Sequence, residues 1–117
     1  MNIKVVGDIR VGKIQPSLTG NPIVDDVLIQ HFCDRLKEKL HSLQLFVDII
    51  PDHFFDATQP CADIILMDRR IISDLPDELL MNFKIIDIDH NDILRGNVTG
   101  AFDALKRYDT GKNVSAI

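Results

Sequence analysis

The chain has 117 residues, a formal net charge of −5, and 45% hydrophobic against 26% charged residues. These values are typical of one globular domain, so we predict a single domain over residues 1–117. The acidic balance argues against nonspecific nucleic-acid binding, and no apolar run approaches the roughly 20 residues that a membrane span needs. Cys33 and Cys61 form no metal or redox motif, which indicates a reduced, cytoplasmic protein.

The first half of the chain predicts a strand, a long loop, a helix and a second strand. The β-branched run 3–6 predicts strand one, and residues 7–20, with three glycines and a proline, predict a binding loop. Asn21 and Pro22 have the pattern of a helix cap and first turn. Apolar residues then recur every four positions from Val24 to Leu40, joined by Val27, which predicts an amphipathic helix with these residues on its buried stripe. Residues 45–50 predict strand two, which Pro51 ends.

The second half is organised around the run 63–67, Asp-Ile-Ile-Leu-Met. Its four consecutive apolar residues predict a strand buried on both faces, as in a parallel sheet covered by helices. Pro76 predicts the start of a short helix, and residues 84–88 predict a fourth strand. The polar group 89–92 follows this strand. The last helix is predicted over residues 98–108, closed by residues 110–113 and followed by a frayed end.

This alternation of strands and helices predicts the α/β class. We expect a three-layer domain with an open, parallel four-stranded sheet in the order 2-1-3-4. Right-handed crossovers place helices on both faces, the first helix on one and the later helices on the other. The switch point then falls between strands one and three, where open α/β sheets bind ligands.

Charged residues from two segments are predicted to meet at that switch point. The loop after strand one and the end of the central strand supply the predicted ligand-binding residues, which are Asp8, Arg10, Lys13, Asp68, Arg69 and Arg70. Several cations near few acids favour a small anion such as phosphate or a carboxylate. The alternative is that Arg69 and Arg70 pair with surface acids at positions 74, 77 and 78.

The loop itself has the glycine and lysine spacing of a phosphate-binding loop. Gly7, Gly12 and Lys13 stand at the expected positions after a strand. However, Ile14 occupies the place of the hydroxyl that holds magnesium, and Pro16 prevents a helix from starting directly after the lysine. A flexible loop without nucleotide hydrolysis is the alternative interpretation.

Carboxylates also follow every predicted strand, with His90 beside them. Asp8, Asp52, Asp68 and Asp89 would line one edge of a parallel sheet, where they could hold magnesium or accept a phosphoryl group. The run 63–68 resembles the phosphorylated strand of two-component receiver domains. Those domains add a second acid after strand one and a lysine after a fifth strand, neither of which this chain offers. His90 and His53 are each interpreted as polar surface, because a metal ligand needs convergent partners.

From Leu43 to Tyr108 the chain resembles the IIB component of the lactose/cellobiose (chitobiose) class of sugar phosphotransferase systems. The residues that carry the resemblance are the segments 47–51, 62–67, 75–78, 85–87 and 96–100. It implies the four-stranded α/β fold and an anion-binding loop that uses Arg10 and Lys13. The family carries its phosphoryl group on a cysteine directly after strand one, where this chain has Gly7 and Asp8, so sugar phosphotransfer is not implied.

Together these patterns predict a non-catalytic, regulatory domain that binds a small anionic ligand or a partner protein. We predict no cofactor, no metal site, no nucleic-acid partner and no membrane span. An enzyme or phosphoacceptor that uses Asp8, Asp68 and Asp89 is the alternative, as is a structural subunit of a larger complex.

Overall fold

The computed structural model describes residues 2–7, 9–10, 18–43, 47–52 and 55–116, with the backbone alone at residues 10 and 108–116. Six strands and five helices are present in these ranges. The strands are β1 (Asn2–Val6), β2 (Ile9–Arg10), β3 (Asp48–Asp52), β4 (Phe55–Asp56), β5 (Ile64–Asp68) and β6 (Lys84–Ile88). The helices are α1 (Pro22–Ser42), α2 (Arg69–Ser73), α3 (Asp77–Leu80), α4 (His90–Arg95) and α5 (Thr99–Ala116).

Four strands form one parallel sheet in the order β3-β1-β5-β6. In this sheet Val6 lies opposite both Asp52 and Met67, and Asp68 lies opposite Ile88. The predicted α/β fold with a parallel four-stranded sheet is therefore confirmed. The predicted order 2-1-3-4 counted four strands only, whereas β2 and β4 form a second, two-stranded parallel sheet that was not predicted. With all six strands numbered, the sheet order becomes the one given above.

Helices cover both faces of the sheet, but not in the predicted distribution. All five residues of β5 are buried, as expected for a central strand between two layers. One core packs Leu66 against Phe32 of α1 and Phe102 of α5, whereas the other packs Ile65 against Ile71 of α2. The last helix therefore lies on the same face as α1, and the prediction that all later helices cover the opposite face is wrong. The strand β6 lies at a sheet edge, and the chain after it returns to the face that α1 already covers.

Helix α1 begins where the sequence predicted. The Asn21 side chain accepts hydrogen bonds from the backbone N–H groups of Ile23 and Val24, at 3.0 and 3.3 Å. Its buried stripe starts later than predicted, however. Val24 and Val27 are 42% and 64% exposed, whereas Asp25 is buried, so the inward face of the first turns carries an acid instead.

Four further boundaries differ from the prediction. Pro51 lies inside β3, which is tolerated because β3 is at the edge of the sheet and only β1 pairs with it among the described strands. Helix α2 follows β5 without a loop, and the polar group 89–92 begins α4. Helix α5 continues to Ala116, through the predicted closing segment. None of the described helices combines the length and apolar character that crossing a membrane requires.

Candidate functional site

The candidate site lies at the carboxyl edge of the main sheet, where its parallel strands end together. Asp68 is the last residue of the central strand β5 and also the N-cap of α2. Its Oδ1 accepts a hydrogen bond from the Arg70 backbone N–H at 2.8 Å. The Asp68 side chain is completely buried. A buried carboxylate must have partners for both oxygens, so the partner of Oδ2 defines the site.

That partner is His90, the first residue of α4. The register of β6 on β5 pairs Ile88 with Asp68, and two residues later the chain turns into α4. Asp89 caps this helix by accepting a hydrogen bond from the Asn91 backbone N–H at 2.9 Å. The turn directs the His90 ring over the end of β5, where its Nδ1 contacts Asp68 Oδ2.

The Asp68–His90 pair has one inaccessible member and one accessible member. The side chain of His90 is 12% exposed and that of Asp68 is 0% exposed. An ionised carboxylate only accepts hydrogen bonds, so Nδ1 carries the proton that is donated to Asp68. The contact fixes the orientation of the ring and leaves Nε2 for a ligand. The pair can therefore position an imidazole that donates or accepts one further hydrogen bond at the sheet edge.

Arg69 and Arg70 contribute to this edge in different ways. The Arg69 Nε donates a hydrogen bond to Asp87 Oδ2 at 2.7 Å, and its Nη1 lies 3.8 Å from Asp89. The hydrogen bond to Asp87 raises the pKa of the Arg69 guanidinium above its ordinary value. The Arg69 side chain therefore points toward β6. Strand β1 lies on the other side of β5, so Arg69 points away from it. Arg70 is exposed, and it contacts Asp68 through its backbone N–H.

The loop after β1 carries the remaining predicted ligand-binding residues. Asp8 and Lys13 lie outside the described residues, and the backbone of Arg10 lies in β2 opposite Asp56. The described ends of the loop meet, because the Leu18 backbone N–H donates a hydrogen bond to the Gly7 carbonyl at 3.3 Å. Gly7 and Leu18 therefore lie together beside the carboxyl end of β1.

The buried side chain of Asp25 hydrogen-bonds to Thr19, near the C-terminal end of this loop. Asp25 is 6% exposed, and its Oδ1 accepts a hydrogen bond from the Thr19 backbone N–H at 3.0 Å. The Thr19 hydroxyl donates a second hydrogen bond to the same oxygen. Leu18, the neighbouring residue, is buried in the core beneath α1. These contacts fix the backbone of Leu18 and Thr19 beside the first turn of α1.

Other predicted acids have separate partners. Asp52 lies 3.8 Å from the Lys4 ammonium, and Asp89 caps α4. In the described part of the chain, no group of three His, Cys, Asp or Glu side chains is arranged to hold a metal ion. Burial raises the pKa of the Cys33 thiol to about 12, so this thiol is not a nucleophile at neutral pH.

His90 is the residue whose importance the sequence interpretation missed. It was placed near the edge acids but treated as polar surface. The signal that was available is Asp89 followed by a polar turn and Ile93, which is the pattern of an N-capped helix. Recognising α4 would have placed His90 near the carboxyl end of β5. The partnership with Asp68 depends on strand register, which the sequence does not state.

We compared the chain with protein-family models, curated proteins and solved structures, and none of them matches it.

Proposed function

We propose that this chain is a small ligand-binding domain with a regulatory role in the cytoplasm, and that His90 helps to hold a small anion at the carboxyl edge of its sheet. The observation that carries the proposal is the pair formed by His90 and the fully buried Asp68. It lies at the edge where open α/β sheets bind their ligands.

The charge of Asp68 supports anion binding through the imidazole. The contact with Asp68 uses Nδ1, so Nε2 is the ring nitrogen that faces a ligand, and an Nε2–H donates to a phosphate or carboxylate oxygen. The anion does not meet Asp68 itself, because that side chain has no exposed surface. Arg69 is already engaged by Asp87 and Asp89, so the proposal assigns the second cationic contact to Arg10 and Lys13 of the loop.

The resemblance to phosphotransferase IIB components supports a non-catalytic role for this domain. The cysteine that accepts the phosphoryl group in that family has no counterpart after Val6 in this sequence. A loop that retains Arg10 and Lys13 without the cysteine suits recognition of an anion rather than transfer of a phosphoryl group.

A second candidate function is acid–base catalysis by the same pair. An imidazole oriented by a buried carboxylate is the arrangement in which enzymes hold a general base. In this alternative His90 is the reactive group and Asp68 positions it. Direct phosphorylation of Asp68 is disfavoured, because both of its oxygens have partners and its surface is inaccessible.

Titration with inorganic phosphate, a sugar phosphate and a nucleoside monophosphate tests the proposal. Amide shifts in NMR spectra should concentrate at residues 7–14, 68–70 and 89–91. Calorimetry should show that His90→Gln weakens binding by about 1–3 kcal/mol, the usual contribution of a hydrogen bond to a charged group. Arg10→Ala should have an effect of similar size.

Arg95→Ala is the matched control, since Arg95 is an exposed cation in the same helix α4. It should leave the affinity unchanged. Shifts scattered over the surface, or equal losses for Arg95→Ala and His90→Gln, would contradict a site at this edge. Conversion of any of these compounds, abolished by His90→Gln, would favour the catalytic alternative.

A further inference from the structure

The two edges of the main sheet differ in how they resist pairing with another strand. Strands β3 and β6 each pair with one neighbour among the described strands. β3 carries Pro51, which has no backbone N–H to donate to a further strand. β6 contains no proline, and its sequence, Lys-Ile-Ile-Asp-Ile, is rich in residues that favour strands. The edge at β6 is therefore the more open of the two.

The side chains of β6 are also incompletely covered. Ile85 and Ile86 are half-buried, although they point to opposite faces and lie opposite Ile65 and Leu66, which have no exposed surface. Each face of β6 borders a groove. An additional strand beside β6 would place its alternate side chains over these two faces.

The first groove is mainly apolar, with Arg69 and Asp87 at its charged side. It has a volume of about 340 Å³ and lies on the face of α2 and α3, where it is lined by Ile72, Leu80, Phe83 and Ile85. These four side chains are all half-buried. They pack at the border of the core that contains Ile65 and Ile71, and part of their apolar surface stays exposed in the groove. An apolar side chain entering it would gain about 25 cal/mol for each Å² of apolar surface removed from water.

The second groove is polar and acidic. It has a volume of about 250 Å³ and lies between β6 and α5, where Asp87, Asp89, Asp92, Arg69 and Arg107 line it beside the apolar residues Ile86, Ile88, Ala101 and Ala104. The lining thus carries three carboxylates and two cations, and Arg69 pairs with Asp87 and Asp89. Arg69 also lines the first groove, and its hydrogen bond to Asp87 separates the two grooves. The charge of the second groove suits a cationic side chain.

We propose that the open edge of β6 binds an extended peptide segment of a partner protein, in which apolar and basic residues alternate. The peptide adds as a further strand, its apolar side chains enter the first groove, and its basic side chains meet Asp89 and Asp92 in the second. Main-chain hydrogen bonds supply affinity and the two grooves supply specificity. This surface is distinct from the Asp68–His90 pair and does not depend on it.

The test uses the full chain and a synthetic eight-residue peptide that alternates valine and lysine, with a valine–glutamate peptide as its control. NMR spectra should show shifted amides and slowed hydrogen exchange over residues 84–88 when the valine–lysine peptide is added. The valine–glutamate peptide should cause neither change. Leu80→Lys, which blocks the apolar groove, should weaken binding about tenfold, as expected for loss of one anchor. Ile50→Lys on the β3 edge should leave it unchanged.

Asp92→Asn provides a second, conservative variant that removes a charge without changing the size of the side chain. It should weaken binding of the lysine peptide severalfold, and circular dichroism should confirm that each variant is folded. Equal binding of the two peptides, or shifts located on β3, would overturn the proposal. Sedimentation that shows self-association with residues 84–88 protected, in the absence of peptide, would identify a second copy as the occupant and also overturn it.

Discussion

Replacement of His90 by alanine is the sharpest perturbation of the edge pair. The imidazole is the partner of Asp68 Oδ2, and the carboxylate has no exposed surface of its own. Breaking a buried pair by removing one member costs about 3–5 kcal/mol, because the remaining charge stays buried. The His90 side chain is 12% exposed, so water can enter the vacated space and recover part of this cost. We expect His90→Ala to lower the free energy of unfolding by about 2–4 kcal/mol.

Urea denaturation followed by circular dichroism measures this loss, and Asn91→Ala is the matched control. Asn91 is exposed and lies next to His90 in α4, so its replacement should change stability by no more than about 0.5 kcal/mol. Asp68→Asn keeps the oxygen that caps α2 and removes the buried charge. When His90→Ala is made in the Asp68→Asn background, the free energy of unfolding should therefore fall by less than it does when His90→Ala is made in the wild type. If His90→Ala and Asn91→Ala cost the same, the pair does not stabilise the fold.

Three further predictions concern the core and the helix ends. Ile65→Ala should cost about 2–5 kcal/mol in the same assay, because Ile65 has no exposed surface in the central strand, and a loss below about 1 kcal/mol would contradict its position. Gly96→Ala should be destabilising by more than about 1–2 kcal/mol, because Gly96 has φ +68° and a Cβ there would lie 2.5 Å from the His31 ring; His31→Ala should recover part of the loss, and no recovery would exclude the clash. A disulfide exchange reagent at neutral pH should label the half-buried Cys61 before Cys33, since burial raises the pKa of Cys33 to about 12, and labelling at equal rates would refute the burial of Cys33.

The fold class could be predicted because the buried strands have an unambiguous pattern. Four apolar residues in succession, Ile64–Met67, are compatible with a strand only where helices cover both faces. The run 84–88 likewise predicted β6 at its observed bounds. The short strands β2 and β4 could not be predicted in the same way, because two residues carry no measurable period.

The candidate site was predictable only in part, since side-chain partners depend on register and direction. The carboxyl edge and Asp68 follow from the order of the elements alone. The predicted grouping of Arg69 with the first loop assumed that a residue after β5 faces β1, but α2 begins at once and Arg69 contacts Asp87 instead. The pairing of His90 with Asp68 required a helix start directly after β6, where the sequence analysis predicted no helix.

The most direct measurement of the central claim is a ¹⁵N NMR spectrum of the histidine imidazoles, recorded with and without inorganic phosphate. The account predicts that His90 Nδ1 carries a proton held by Asp68, with slow exchange, and that phosphate shifts the Nε2 resonance of His90 while the exposed His31 and His41 stay unchanged. Asp68→Asn should abolish the slow exchange at Nδ1. A freely exchanging Nδ1 proton on His90, or phosphate shifts of equal size at His90, His31 and His41, would contradict a ligand site at the sheet edge.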